Sequence, residues 1–237
     1  MTFTFSPIGV VRSCFTEKFG IPRQSGLAPL ATASIELYPP FDTPLAFTGL
    51  DSASHLWVQF VFHQNRHQGF KPRVKPPRLG GNKTLGVFAT RSPTRPNPIG
   101  LSVVKLDSIE VVDGATRLLI SGHDMLDGTP VLDIKPYVPY TDAIDSAHND
   151  FATDAPTAIA VFFNTHAEAQ CRAHEMQHTG LRGLIDQLLQ QDPRPQYQTP
   201  DPARIYGMRL WQLDVRWRYQ FNGERWQIEV VEVVAAS

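Results

Sequence analysis

Through the first two-thirds of the chain, apolar residues fall in short runs or alternate with polar ones. That is the period of extended strands rather than helices. Ile8-Gly9-Val10-Val11 is a β-prone run, and residues 33–38 alternate apolar with polar positions. Residues 55–62 (His55, Leu56, Trp57, Val58, Gln59, Phe60, Val61, Phe62) are apolar enough for a strand covered on much of both faces. Further extended segments are expected at 85–89, 99–104, 117–122 and 131–137, the last closed by Pro136 and Pro139. Asp113-Gly114 joins two of these runs with the composition of a tight hairpin turn. Many short strands separated by turn signals predict a β-barrel or sandwich.

The pattern changes after residues 140–156, where Asp142, Asp145, Asn149, Asp150 and Asp154 mix with Ser, Ala and Pro. This composition predicts a linker or domain-edge loop and divides the chain into residues 1–145 and 146–237. Residues 159–163 read as a strand, followed by a helix from about Ala167 that should stop near Gly180. Leu181, Leu184, Ile185, Leu188 and Leu189 form one apolar face of a second helix, which Asp192-Pro193-Arg194-Pro195 ends. Val215, Trp217 and Tyr219 alternate with Arg216, Arg218 and Gln220. Asn222-Gly223 supplies a tight turn, and Trp226, Ile228 and Val230 return as the partner strand. The second unit is therefore small and α+β.

Composition sets limits without naming a function. The 237 residues are 42% hydrophobic and 19% charged, ordinary for a globular protein with a real core. No uncharged apolar run approaches the roughly 18 residues that span a bilayer, and the start lacks a charged region followed by an apolar one. Cys14 and Cys171 are too few and too far apart for a disulfide framework. The expected compartment is the cytoplasm, with no membrane partner.

Charge is more informative, because it is segregated. Between Asp51 and Asp107 there is no carboxylate, while Arg66, Lys71, Arg73, Lys75, Arg78, Lys83, Arg91, Arg95 and Lys105 all occur. The other 13 of the 22 basic residues face all 23 acidic ones. Trp57, Phe60, Phe62, His63, His67, Phe70 and Phe88 are interleaved with the basic positions. Lysine and arginine attract phosphates and rings stack on unpaired bases, so this composition suits looped or single-stranded nucleic acid. The plainer reading is core strands beside a solubilising loop. Within the segment, the Pro-rich run at 92–98 forms a stiff loop that presents Arg91 and Arg95 with little freedom left to lose on binding an anion. A solvated proline-rich connector is the alternative.

Residues 131–137, if extended, place Asp133, Lys135 and Tyr137 on one face. Carboxylate, amine and phenol together make an acid/base cluster, or an ordinary Asp–Lys pair on a wet strand. His174-Glu175-Met176-Gln177-His178 matches the HExxH pattern of helical zinc peptidases, but Gly180 follows at once and no third ligand stands in a matching context. No glycine-rich phosphate cradle (GxGxxG or GxxxxGK) and no GxSxG elbow occurs, which leaves a Rossmann nucleotide site unsupported.

Several long motifs occur together: Ile8-Gly9-Val10-Val11-Arg12-Ser13, Pro22-Arg23-Gln24, Ser54-His55-Leu56-Trp57, Phe62-His63-Gln64, and residues 73–81. With them come Ala89-Thr90-Arg91-Ser92, Arg95-Pro96-Asn97-Pro98-Ile99-Gly100, and Asp127-Gly128-Thr129-Pro130 followed by Asp133-Ile134-Lys135-Pro136-Tyr137. This combination resembles the TrmO (TsaA-like, YaeB) family of S-adenosylmethionine-dependent tRNA methyltransferases. Asp192-Pro193-Arg194-Pro195 and Val215-Arg216-Trp217 resemble its bacterial C-terminal domain.

The resemblance implies a mainly β N-terminal barrel domain plus a small α+β C-terminal domain, neither Rossmann nor knotted, working as a homodimer without metal. It implies methylation of N6 of the threonylcarbamoyladenosine beside the anticodon of threonine tRNA. By similarity, Pro22, Arg23, Gln24, His63, Gln64, Arg91, Leu101, Leu126, Asp127, Gly128 and Thr129 bind S-adenosylmethionine. Asp133 is then expected to accept a proton with Lys135 and Tyr137 orienting it, and Lys71, Arg73, Lys75, Arg78 and Arg95 to grip the anticodon stem-loop. A non-catalytic RNA-binding module and a zinc hydrolase using the HExxH match are the alternatives.

Overall fold

The structure, a computed structural model, describes residues 2–76, 83–154, 156–195 and 197–236. Its first unit is built from β1 (Gly9–Ser13), β2 (Thr32–Leu37), β3 (His55–Val61), a short ribbon of β4 (Arg73–Val74) and β5 (Leu85–Gly86), β6 (Ile99–Val112), β7 (Ala115–Ser121) and β8 (Pro130–Pro136). Six of these strands close into a barrel in the order β1-β2-β7-β6-β3-β8, with β8 returning to β1. Alternation decides which residues point inward. Along β3 the buried positions are Leu56, Val58 and Phe60, which meet Val11, Ile35, Val104, Leu118, Ile120 and Val131 in the barrel core.

All neighbouring pairs in the barrel are antiparallel, so its connections alternate between the two ends. One end carries the tight β6–β7 hairpin, where Asp113 and Gly114 both have positive φ, 52° and 83°. Two adjacent left-handed residues are what a twist-matched two-residue turn needs. The other end gathers three long loops, 14–31, 62–98 and 122–129.

A short helix α1 (Pro139–Asp142) leads to a second sheet of β9 (Ala160–Phe163), β10 (Tyr206–Leu210), β11 (Leu213–Phe221) and β12 (Trp226–Ala235), ordered β10-β11-β12-β9. Helices α2 (Thr165–His174) and α3 (Leu181–Leu189) cover it, α3 through the predicted leucine face. Among the described residues no helix is long and apolar enough to cross a membrane.

Three local expectations differ from the structure. Residues 87–89 form a 3₁₀ turn rather than a strand, held by the Val87 amide on the Pro72 carbonyl and the Thr90 hydroxyl on the Val87 carbonyl. Helix α2 ends at His174, not near Gly180, because Glu175 accepts from the Gly180 amide and Gly180, at φ 77°, starts α3 instead. The Asn222-Gly223 connection spans four residues, with the Asn222 side chain accepting from the Glu224 and Arg225 amides.

The two units share a core. Cys14, Phe15, Ala28 and Ala31 from loop 14–31 pack with the leucines of α3 and with Trp217 and Tyr219 of β11. Phe15 bridges Leu210, Trp211 donates to the Cys14 carbonyl, and Gln191 donates to the Leu27 carbonyl. Cys14 and Cys171 are both free thiols in this core, and burial raises them to about 12 and about 11.

His123, at the β7 end of the barrel, is fully buried, and burial lowers its imidazole to about 4. Nδ1 accepts from the Met125 amide at 3.2 Å, which assigns the proton to Nε2, facing the Thr32 carbonyl at 3.3 Å. The unfolded chain gains a proton near 6.5 that the folded one refuses until about 4, so stability falls as pH drops through that window. Thermal melts should show this loss. An NMR titration of His123 should show no protonation above pH of about 5; a midpoint near 6 would contradict the assignment.

Candidate cofactor site at the barrel mouth

The three long loops enclose a cleft of about 530 Å³ over the end of the barrel. Loop 14–31 contributes Lys18, Ile21, Pro22, Arg23 and Gln24; the turn after β3 contributes Phe62, His63, Gln64 and Asn65. The Pro-rich loop adds Thr90, Arg91, Pro93 and Arg95, the start of β6 adds Ile99, Gly100, Leu101 and Ser102, and the β7–β8 loop adds Asp124, Met125, Leu126 and Thr129. Gly100 faces inward under Phe60, where an added Cβ would sit 2.3 Å from the ring. Only glycine lets the strand approach that closely.

The loops are laced together by backbone hydrogen bonds. Gly26 donates to the Gly122 carbonyl at 2.8 Å, Phe62 to Pro98 at 2.8 Å and Lys71 to Thr94 at 3.2 Å. Hydroxyls stiffen the Pro-rich loop further: Ser92 Oγ and Thr94 Oγ1 lie 3.0 Å apart, and the Ser92 amide donates to Thr90 Oγ1. The Arg91 guanidinium donates to Gln24 Oε1, which joins the first and second loops across the cleft. Arg23 reaches the carbonyls of Asp192 and Arg194 at 3.5 Å, so the C-terminal unit helps set the position of a cleft residue. Burial, with Lys18 nearby, lowers the His63 imidazole.

Of the residues expected to hold the cofactor, Pro22, Arg23, Gln24, His63, Gln64, Arg91, Leu101, Leu126 and Thr129 line this one cleft. Asp127 and Gly128 do not. The Asp127 carboxylate accepts from the Ser13 amide at 2.9 Å and its backbone amide donates to the Phe15 carbonyl, while the Gly128 amide donates to the Val11 carbonyl. Both tie the β7–β8 loop to β1 beneath the cleft rather than forming its wall.

The expected RNA contacts divide as well. Lys71, Arg73 and Lys75 are exposed, and none has an ion pair among the described residues. Arg78 lies outside the described residues. Arg95 lines the cleft, donates to the Thr90 and Val87 carbonyls and lies over Phe88, so part of its guanidinium is committed to the loop.

Asp133 and Lys135 form an ion pair of 2.7 Å on the outer barrel wall, and Tyr137 stands beside Trp57 with ring centroids 5.9 Å apart. They share a face as predicted, but not the cleft's lining. In the register of β8 on β3, Asp133 pairs with Gln59 and Lys135 with Trp57, both outward positions. Trp57 stands between the two places; it lines the cleft and donates to Asp142.

The HExxH residues serve packing. His178 stacks on Trp211 at 4.1 Å, Glu175 holds the Gly180 amide, and among the described residues no three His, Cys, Asp or Glu side chains converge as a metal site.

Residues 10–143 match the tRNA-methyltransferase O N-terminal domain, and residues 156–236 match the TrmO C-terminal domain. The chain belongs to the tRNA-methyltransferase O family. It is 43% identical over 219 residues to the tRNA (adenine(37)-N6)-methyltransferase of Escherichia coli K12, covering 92% of this chain and 93% of that one. It is 54% identical over 220 residues to RcsF of Pseudomonas aeruginosa, whose name describes an S-adenosylmethionine-dependent methyltransferase, covering 92% and 94%. The crystal structure of TrmO from Pseudomonas aeruginosa superimposes with a TM-score of 0.82 at 47% identity, covering 99% of each chain. Both TrmO domains are thus present, with the closed barrel and the α+β sheet in the same order.

Proposed function

We propose that the barrel-mouth cleft binds S-adenosylmethionine and that this TrmO-family enzyme methylates N6 of adenosine 37 in tRNA. The convergence of nine similarity-assigned residues, scattered along the sequence from Pro22 to Thr129, on one cleft carries this reading. The cleft suits the cofactor on its own terms. Arg91, fixed by Gln24, offers a fork for the methionine carboxylate, while Leu101, Leu126 and Trp57 give apolar surface for a base. When bound, S-adenosylmethionine supplies an electrophilic methyl group.

The finer reading is that the substrate is N6-threonylcarbamoyladenosine 3′ of the anticodon in threonine tRNA, modified in the cytoplasm. Acylation makes that N6 a weak nucleophile until its proton leaves, so the protein must position the base and accept a proton. Asp133, oriented by Lys135 and Tyr137, is our candidate acceptor. Its place on the outer wall favours a homodimer in which one subunit's wall faces the other's cleft. Exposed Phe3, Phe5, Ile99 and Leu101 give that neighbourhood the apolar surface a second copy needs. We also take the two units to divide near residue 145.

The substrate reading is tested by offering threonine tRNA with and without the threonylcarbamoyl group. Methylation of only the modified form is expected; equal methylation of both would limit the activity to adenosine 37 at large.

RNA binding should be electrostatic. Affinity for tRNA is expected to fall steeply with salt, and replacing Lys71, Arg73 and Lys75 by alanine should flatten the log–log slope by about 0.7–0.9 per residue. Filter binding across a salt series measures this. An unchanged slope in the triple variant would remove these residues from the interface.

A further inference from the structure

Among the described residues, four cationic side chains line the cleft, Lys18, Arg23, Arg91 and Arg95, but one carboxylate, Asp124. A site for a purely anionic ligand has no use for that group, which opposes the cations around it. Yet the structure fixes it with care. Ser102 Oγ donates to Asp124 Oδ1 at 2.6 Å, and the Ser25 backbone supplies a further hydrogen bond. Ser102 is itself held by the barrel, on an inward position of β6 opposite Val58, and is 4% exposed. Burial, the largest effect, raises the Asp124 carboxyl, while these hydrogen bonds and the nearby Arg91 charge favour the anion.

Asp124 and Arg91 feel each other's charge, but Asp124 forms no ion pair among the described residues. Two opposite charges held near one another but apart complement a zwitterion. An α-amino acid carries ammonium and carboxylate on the same carbon, so the acceptor for one must stand close to the donor for the other. S-adenosylmethionine also has a sulfonium, which makes it a net cation and leaves four cations unbalanced without an acid.

We propose that Asp124 is a further cofactor-binding residue, taking the α-ammonium of the methionine moiety while Arg91 takes its carboxylate, with Ser102 positioning the acid. This rests on the cleft being the S-adenosylmethionine site. Gln24 joins the arrangement through Arg91, and loop 14–31 through Ser25.

Titration calorimetry tests it with three probes: S-adenosylhomocysteine, its analogue lacking the α-amino group, and 5′-methylthioadenosine, which lacks the amino acid altogether. The wild-type protein should bind S-adenosylhomocysteine about 10- to 100-fold more tightly than the desamino analogue. Asp124→Asn should erase that preference and leave 5′-methylthioadenosine within about twofold of wild type. Ser102→Ala should shrink the preference by a smaller factor.

A wild-type protein indifferent to the amino group overturns the proposal, and needs no variant to fold. So does an Asp124→Asn protein that keeps the preference; if that variant also lost methyl transfer, Asp124 would be a proton acceptor instead. Failure of all three probes to bind the wild type would reject the cleft as the cofactor site, a different result from loss of amino-group discrimination alone.

Discussion

Arg91→Ala should reduce affinity for S-adenosylhomocysteine by about 100-fold, the range expected when one partner of a charge-assisted pair is removed from a desolvated site. Arg91 sits on a loop whose backbone is set by prolines and by Thr90, Ser92 and Thr94 hydroxyls, so its fork is oriented before the ligand arrives. Its observed partner, Gln24, is neutral, and the guanidinium is exposed in the free protein. Removing it should therefore leave the melting temperature within a degree or so of wild type, because surface substitutions away from packing change stability little. Arg91→Lys should recover only part of the affinity, since an ammonium keeps the charge but not the bidentate geometry. Calorimetry and melting on the same samples check both halves. Wild-type affinity in Arg91→Ala would take the residue out of the site; loss of folding would assign it a structural role.

Trp217→Ala should destabilise the protein by about 3–5 kcal/mol, the usual result of emptying a large buried aromatic site. Trp217 has no exposed surface and lies between Phe19, 6.1 Å away at 3°, and Tyr206, 6.0 Å away at 20°. Phe19 belongs to loop 14–31, the loop that carries Pro22, Arg23 and Gln24 into the cleft. The cavity would thus loosen a wall of the cleft from the far side of the molecule. Denaturant unfolding should show the loss in stability, and cofactor affinity should fall although Trp217 does not line the cleft. Unchanged affinity in a measurably destabilised variant would show that loop 14–31 is held without the C-terminal sheet. Trp217→Phe keeps most of the ring contact and should cost much less.

The sequence made some of this legible and hid the rest for physical reasons. Strand positions are readable where alternation reflects one buried face, as at Ala33, Ile35 and Leu37; residues 55–62 read as covered on both faces, yet only Leu56, Val58 and Phe60 are buried. Asp113-Gly114 was readable because few residue pairs accept two successive positive φ values. The segment at 87–89 misled because Val and Phe suit strands, while a tertiary hydrogen bond to Pro72 and the following prolines decide its turn.

Within the site, motif resemblance named the residues of the wall, but spacing could not separate wall from scaffold. Asp127 and Gly128 sit in the same motif as Leu126 and Thr129, yet their hydrogen bonds run to β1. Asp124 and Ser102 went unremarked because neither stands in a distinctive pattern. Asp124 stands in the β7–β8 loop and Ser102 near the start of β6, and the closed barrel brings both to one mouth. The anchorage of loop 14–31 on the second unit emerges only from the shared core.

We propose that this cleft holds the cofactor for methyl transfer to adenosine 37. The measurement that tests it most directly is nucleoside mass spectrometry of threonylcarbamoylated threonine tRNA. The tRNA would be incubated with wild-type protein, with Arg91→Ala, and with wild-type protein lacking S-adenosylmethionine. One added methyl on the modified adenosine is expected with wild-type protein and cofactor, at least tenfold less with Arg91→Ala at a cofactor concentration near the wild-type dissociation constant, and none without cofactor. Full methylation by Arg91→Ala under that condition, or none by a wild-type protein that binds the cofactor, would contradict it.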